Sequence, residues 1–93
     1  MYAVVRRYTG GAAFIDEVMP RQQDLREVIQ GVPGLVAYYA VRSGDDSMTI
    51  TICQDETGTA ESTRRAADWL RRNVPAATGN PPEVTEGEVL FNF

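Results

Sequence analysis

Apolar and polar positions change period several times along this 93-residue chain, and each change marks an element. Tyr2 to Tyr8 is rich in β-branched and aromatic residues and ends at Thr9-Gly10-Gly11, the pattern of a strand closed by a turn. Val18, Gln22, Leu25, Ile29 and Val32 then recur at helical spacing, with Val28 widening the stripe. Pro20 fits a single helix if Asp16 is its N-cap, because first-turn amides have no partner inside a helix. The other reading is a break near Met19, since proline forces its predecessor out of helical geometry. Gly31 and Pro33-Gly34 stop the helix, and Leu35 to Val41 forms the second strand. Arg42 to Ser47 is a polar turn. Strict alternation in Met48-Thr49-Ile50-Thr51-Ile52-Cys53 separates Met48, Ile50 and Ile52 from Thr49, Thr51 and Cys53. A second helix is expected from about Thr59 to Asn73, burying Ala60, Thr63, Ala67, Leu70 and Val74 and stopped by Pro75. Pro81-Pro82 marks a loop, and Glu86 to Phe93 is expected as the last strand.

The predicted order is strand, helix, strand, strand, helix, strand over one domain, residues 1–93, which is the ferredoxin-like α+β arrangement βαββαβ with an antiparallel sheet. Right-handed crossovers place both helices on one face of the sheet. The other face is then bare. It carries either Val5 and Arg7 with Ala37 and Tyr39, or Val4 and Arg6 with Val36 and Tyr38. The second strand is apolar on both faces, and one helix layer covers only one of them, so a second copy of the chain is expected as the other cover. The aromatic C-terminus Leu90-Phe91-Asn92-Phe93 points the same way.

Composition narrows the chemistry. The chain has no histidine, which removes the commonest general base, the commonest metal ligand and every Ser-His or Cys-His nucleophile. It has no lysine, so Schiff-base chemistry and lysine-dependent phosphate loops are excluded, and all nine basic residues are arginine. No metal and no organic cofactor is expected. Cys53 is the single cysteine and has no partner for a disulfide and no neighbouring base to activate it. A net charge of −4 argues against a nucleic-acid partner. The N-terminus is too short in apolar residues for a signal core or a membrane span, so a cytoplasmic protein is expected.

Pro33 to Tyr39, the Thr49 to Ile52 strand, and Ala60-Glu61-Ser62 through Ala66 to Trp69 resemble the antibiotic biosynthesis monooxygenase-like group of dimeric α+β barrel proteins. The resemblance covers nearly the whole chain and rests chiefly on fold signals. It implies two ferredoxin-like sheets paired face to face as a dimeric α/β barrel, and a protein similar to cofactor-independent monooxygenases acting on planar aromatic substrates. The alternative is a non-catalytic ligand-binding or dimerisation module on the same scaffold. Haem degradation, another activity in the group, is not expected, because the histidine and the first-strand asparagine of such members are missing.

Four residues are candidates for contact with a small aromatic ligand. Trp69 shares a helix flank with Ser62, Arg65, Ala66 and Asn73, a mixture suited to a pocket wall, although packing at the core boundary is the commoner fate of a lone tryptophan. Tyr39 would add contact surface, and Arg7 or Arg65 would stabilise developing negative charge. Arg6 and Arg7 must point to opposite faces of their strand, and both are expected to reach solvent at its rim. Arg64, Arg65, Arg71 and Arg72 lie among Glu61 and Asp68 at helical pair spacing, the pattern of a salt-bridged solvent face.

Overall fold

The computed structural model describes residues 1–75 and 81–93. Its elements are β1 (Tyr2–Tyr8), α1 (Ala12–Val18), a 3-10 turn (Met19–Arg21), α2 (Gln22–Gln30), β2 (Leu35–Ser43), β3 (Asp46–Cys53), α3 (Glu56–Asn73) and β4 (Glu83–Glu88). The four strands form one antiparallel sheet in the order β2-β3-β1-β4, with β1 and β3 central. This is the ferredoxin-like fold that the order of elements predicts.

The first helical segment is broken, not continuous from Asp16. Asp16 lies inside α1, and Pro20 sits in the 3-10 turn that joins α1 to α2. Proline has no N–H to donate to the residue four back, so the ladder tightens there into 3-10 geometry before α2 begins at Gln22. Gly31 caps α2, and Gly34, at a φ of 73°, turns the chain into β2 while its carbonyl accepts from the Gln54 amide at 2.8 Å. The β2–β3 turn is tighter than the polar run implies. Ser43 pairs with Asp46, so only Gly44, at a φ of 60°, and Asp45 lie between the strands.

The two faces of the sheet are decided by β1 and β3. Val4, Arg6 and Tyr8 are buried on β1, and Ser47, Thr49, Thr51 and Cys53 on β3, all beneath the helices. Met48, Ile50 and Ile52 face the other way and are half-buried. Val5, Arg7, Ala37 and Tyr39 therefore belong to the uncovered face, joined in register by Val41, Thr85 and Gly87. The threonine side of β3 is the inner one.

Asp55 caps α3 by accepting from the Gly58 amide at 3.1 Å, and the helix begins three residues earlier than Thr59. Its buried residues are Gly58, Thr59, Ser62, Ala66 and Trp69. Ala60 and Ala67, expected inside, are exposed. The helix is rolled by about one residue from the simplest apolar stripe, and its hydroxyl groups meet the threonine face of β3. At its far end Trp69 packs with Val18 and Val74, and Phe14, Leu25, Val28 and Leu70 close this core.

The last strand also differs from expectation. β4 ends at Glu88, the Val89 amide donates to the Met1 carbonyl at 2.9 Å, and Leu90, Phe91 and Phe93 stand exposed beyond the sheet. Among the described residues no helix is long and apolar enough to cross a membrane.

Gly58 lies where α3 comes too close to its neighbours for a side chain. A Cβ there would lie 2.7 Å from the Pro33 carbonyl oxygen and 2.8 Å from Cys53 Cβ. Gly58→Ala should cost about 1–3 kcal/mol by overpacking and lower Tm by roughly 4 °C or more, as read by thermal melting. An unchanged Tm would show that α3 is held further from β3 than this.

Candidate ligand site

Arg6 lies on the central strand β1 and points under α3, where it is 1% exposed. The expectation that it reaches solvent at the rim is wrong, because β1 runs through the middle of the sheet and its sixth residue has a helix above it. Its guanidinium is held by hydroxyl groups alone. Nη1 donates to Thr49 Oγ1 at 3.2 Å and Thr51 Oγ1 at 3.0 Å. Nη2 donates to Ser62 Oγ at 3.3 Å and Thr63 Oγ1 at 2.8 Å, and Nε to Thr63 Oγ1 at 3.2 Å. These five bonds use all five N–H donors that a guanidinium has. The acceptors are linked in turn: Thr51 Oγ1 and Ser62 Oγ are 2.9 Å apart, and Thr63 donates to the Thr59 carbonyl at 3.1 Å.

No carboxylate is paired with this charge among the described residues, and every arginine–carboxylate pair found there involves another arginine. The burial of a lone ion costs several kcal/mol even after relaxation. Hydrogen bonds from a charged donor return about 1.5–3 kcal/mol each. The site is therefore satisfied in hydrogen bonds and unsatisfied in charge.

Two tyrosines feel that charge. Burial pushes the hydroxyls of Tyr8 and Tyr38 up in pKa, while the Arg6 charge and the Thr49 hydroxyl pull against it. Tyr38 also lines a groove of about 620 Å³ between the helices and β2. Ile15 and Val18 of α1, Leu25 and Ile29 of α2, and Leu35 of β2 make its apolar walls. The groove thus has an apolar body with a tyrosine in its lining, the mixture typical of small-molecule sites.

The four residues singled out from the sequence fall into two pairs on opposite sides of the sheet. Trp69 and Arg65 line a smaller hollow of about 250 Å³ with Val28, Arg64 and Asn73. Trp69 is itself buried in the core, with its far side on Val18. Arg65 donates to Glu61 Oε1 at 2.9 Å and to the Val28 carbonyl at 3.2 Å, which ties α3 to α2. Bonds from Arg64 and then Arg65 hold the Glu61 carboxyl down to about 2. Arg64 also pairs with Asp68, as does Arg71, so this helix face has the salt-bridged character its spacing predicts. Tyr39 and Arg7 lie on the uncovered face, where Tyr39 is exposed and Arg7 reaches Asp46 at 3.5 Å. The Gly10 amide, at 2.8 Å, and then Arg7 lower the Asp46 carboxyl below its usual range.

The residues that sequence reasoning missed are Arg6, Thr49, Thr51, Ser62, Thr63 and Tyr38 as a cluster. The signal is present in two places. An arginine at the middle of a central strand must go inward or outward with its alternate neighbours, and here those neighbours, Val4 and Tyr8, are buried. A Thr-x-Thr pattern beside it supplies acceptors in register, Thr49 directly opposite Arg6. Among the described residues no group of three metal-ligating side chains is found.

No family model and no curated protein matches the chain. Solved structures do. The fold is shared with a protein of unknown function, NE2512 from Nitrosomonas europaea, at a TM-score of 0.72 and 23% identity over 99% of this chain and 91% of that one. An antibiotic biosynthesis monooxygenase matches at 0.64 and 20% identity, over 97% of this chain and 99% of its own. SnoaB, a cofactor-independent oxygenase from Streptomyces nogalater, matches at 0.64 and 18% identity, over 98% and 94%. The chain therefore has the ferredoxin-like fold of the antibiotic biosynthesis monooxygenase-like proteins, a scaffold also found where no function is known.

The charge imbalance at Arg6 gives a direct expectation. Arg6→Met removes the buried ion but keeps most of the volume; Thr51 and Ser62 keep each other and Thr63 keeps the Thr59 carbonyl, so that of the four hydroxyls only Thr49 loses its bond. The variant should fold with a Tm equal to or above that of the parent protein. A fall of more than about 8 °C, roughly 1–2 kcal/mol for a domain of this size, would show that the arginine holds the fold together.

Proposed function

We propose that this chain forms a homodimer that binds a planar, partly apolar molecule in the groove between α1, α2 and β2, and oxygenates it without metal or organic cofactor. The groove of about 620 Å³ carries this reading. Its volume lies in the range of small-molecule sites, and its apolar walls end at Tyr38, which pairs in register with Thr51, one of the acceptors of the buried Arg6. The shared fold with SnoaB supports the choice of chemistry. With no histidine or lysine present to act as a strong base, the substrate must supply most of the reactivity. An anthrone-type compound meets that need. Loss of one C–H proton leaves a carbanion stabilised as the enolate; dioxygen is then reduced by it, one oxygen atom remaining as the new ring carbonyl and the other leaving as water. The protein's part is to bind the ring, favour the anion and exclude bulk water.

Trp69 supports the groove from behind through Val18, which is in both the core and the groove wall. Arg65 braces α3 against α2. Tyr39 and Arg7 would meet a ligand only through a surface formed with the partner's sheet.

Oxygen uptake with anthrone-type and phenolic compounds is the test, with Ala40→Phe as the variant that fills the groove. Turnover should fall at least tenfold, about 1.4 kcal/mol of transition-state stabilisation, with Tm and subunit mass unchanged. Saturable binding without oxygen uptake would favour a non-catalytic binding module instead. No binding by any such compound would defeat the reading.

Dimerisation is proposed from the uncovered face. Val5, Met48, Ile50, Ile52, Tyr39 and Val41 make an apolar surface on one side of the sheet, and the exposed Leu90, Phe91 and Phe93 extend from its edge strand. Light scattering at micromolar concentration should give about twice the mass of one chain. A folded monomer throughout a dilution series would contradict it.

A further inference from the structure

The apolar walls of the groove account for binding of a ring and leave its one charged lining residue, Arg26 of α2, unexplained. Of the nine arginines, seven donate to a partner: Arg6 to hydroxyls, Arg21 to the Asn73 carbonyl, and Arg7, Arg42, Arg64, Arg65 and Arg71 to carboxylates. Arg26 and Arg72 have no such bond among the described residues. Arg72 shares its hollow with Asp68, whereas no carboxylate lines the groove of Arg26 among those residues. We propose that Arg26 is a specificity residue that selects ring compounds bearing a carboxylate, an inference that rests on the groove being the ligand site.

The sequence of α2 explains why Arg26 stands alone. A surface arginine on a helix finds its carboxylate three or four residues away, as Arg64 does in Glu61 and Asp68. At those offsets Arg26 has only Gln22, Gln23, Ile29 and Gln30, and the acidic residues of α2, Asp24 and Glu27, fall elsewhere on the helix. Gln22, Arg26 and Gln30, each four residues from the next, form a row along α2, and all three line the groove. Leu25 and Ile29 make the apolar row beside it. One wall of the groove therefore changes from apolar to polar across the width of a single helix. A carboxylate on a ring held against Leu25 and Ile29 meets a flexible chain that ends in a planar fork of donors, with an amide before and after it along the row to give a further bond. Because Arg26 is exposed and unbonded, its fork turns to the acid without breaking an ion pair. The apolar row lowers the local dielectric and strengthens the pair relative to one in open water. The net charge of −4 opposes any general attraction of anions, so a preference for one must come from the lining itself.

The probes are anthracene-2-carboxylic acid, ionised at neutral pH, and its uncharged amide, anthracene-2-carboxamide; the fluorescence of the shared ring reports the binding of each. Wild-type protein should bind the acid more tightly than the amide by about fivefold, the upper end for an ion pair open to solvent, and the difference should shrink as salt is raised. Arg26→Gln should abolish the difference and leave the affinity for the amide unchanged, and Arg26→Lys should restore part of it. Arg72→Gln, the same loss of charge outside the groove, should keep it. Equal affinities for acid and amide in the wild type, or a preference for the acid that survives Arg26→Gln or is lost equally in Arg72→Gln, would overturn the inference and leave the groove as the ligand site. Binding of neither compound, or binding of both that Ala40→Phe leaves unaffected, would overturn the groove as the site and the inference with it.

Discussion

Burial of the Arg6 guanidinium without a carboxylate partner is the constraint around which the rest of this small domain is arranged. A charge taken out of water needs every donor bonded and enough polarisable groups around it to keep the ion tolerable. Here the ring of acceptors comes from two elements, Thr49 and Thr51 of β3 and Ser62 and Thr63 of α3. Those bonds go with the threonine side of β3 facing inward, and with the roll of α3 that brings Ser62 and Thr63 to it. Once Thr59 and Ser62 turn to the sheet, Ala66 and Trp69 follow on the same flank, and Ala60 and Ala67 are carried to the surface. The apolar core is correspondingly displaced to the end of the domain, around Val18, Trp69 and Val74. The polar centre and the apolar core sit side by side beneath the helices, and the groove opens next to them.

The same choice loads the opposite face. With threonines inside, Met48, Ile50 and Ile52 must point away from the helices, and they do so next to Val5, Tyr39 and Val41. A domain of this size buries only about three-fifths of the surface of its unfolded chain, and this one commits part of that interior to hydroxyls and an ion. A partner surface is the natural place to recover apolar burial, which is why ligand site and assembly are linked in the proposed function.

The order of elements is legible because each rests on a local rule: glycine and proline punctuation at Gly10-Gly11, Gly31 and Pro33-Gly34, alternation through Met48 to Cys53, and helical spacing from Leu25 to Ile29. Even the break at Pro20 is one of two readings open in the sequence. The inner face of β3 and the stripe of α3 are not legible by the same means. Hydropathy ranks alanine inside and threonine outside, whereas a buried arginine reverses that preference for its neighbours. Of the ligand candidates, Trp69 and Arg65 lie together on the helix side of the sheet and Tyr39 and Arg7 on the other, a separation that strand alternation permits but does not reveal without knowing which face is covered. The C-terminal run has the aromatic content of a strand, yet β1 begins at Tyr2 and only the Met1 carbonyl before it meets Val89, so pairing stops there.

The central claim is that one arginine of nine is sealed beneath α3 with all its donors bonded to hydroxyls. Nitrogen-15 NMR on arginine-labelled protein measures this directly, because a guanidinium proton in a closed network exchanges with water only when the structure opens. One arginine, assigned to Arg6 by its loss in Arg6→Met, should show separately resolved Nη protons that exchange far more slowly than those of the exposed Arg7, Arg64 and Arg71. Nine guanidinium groups that all exchange at the rate of solvent-exposed arginine would contradict the account.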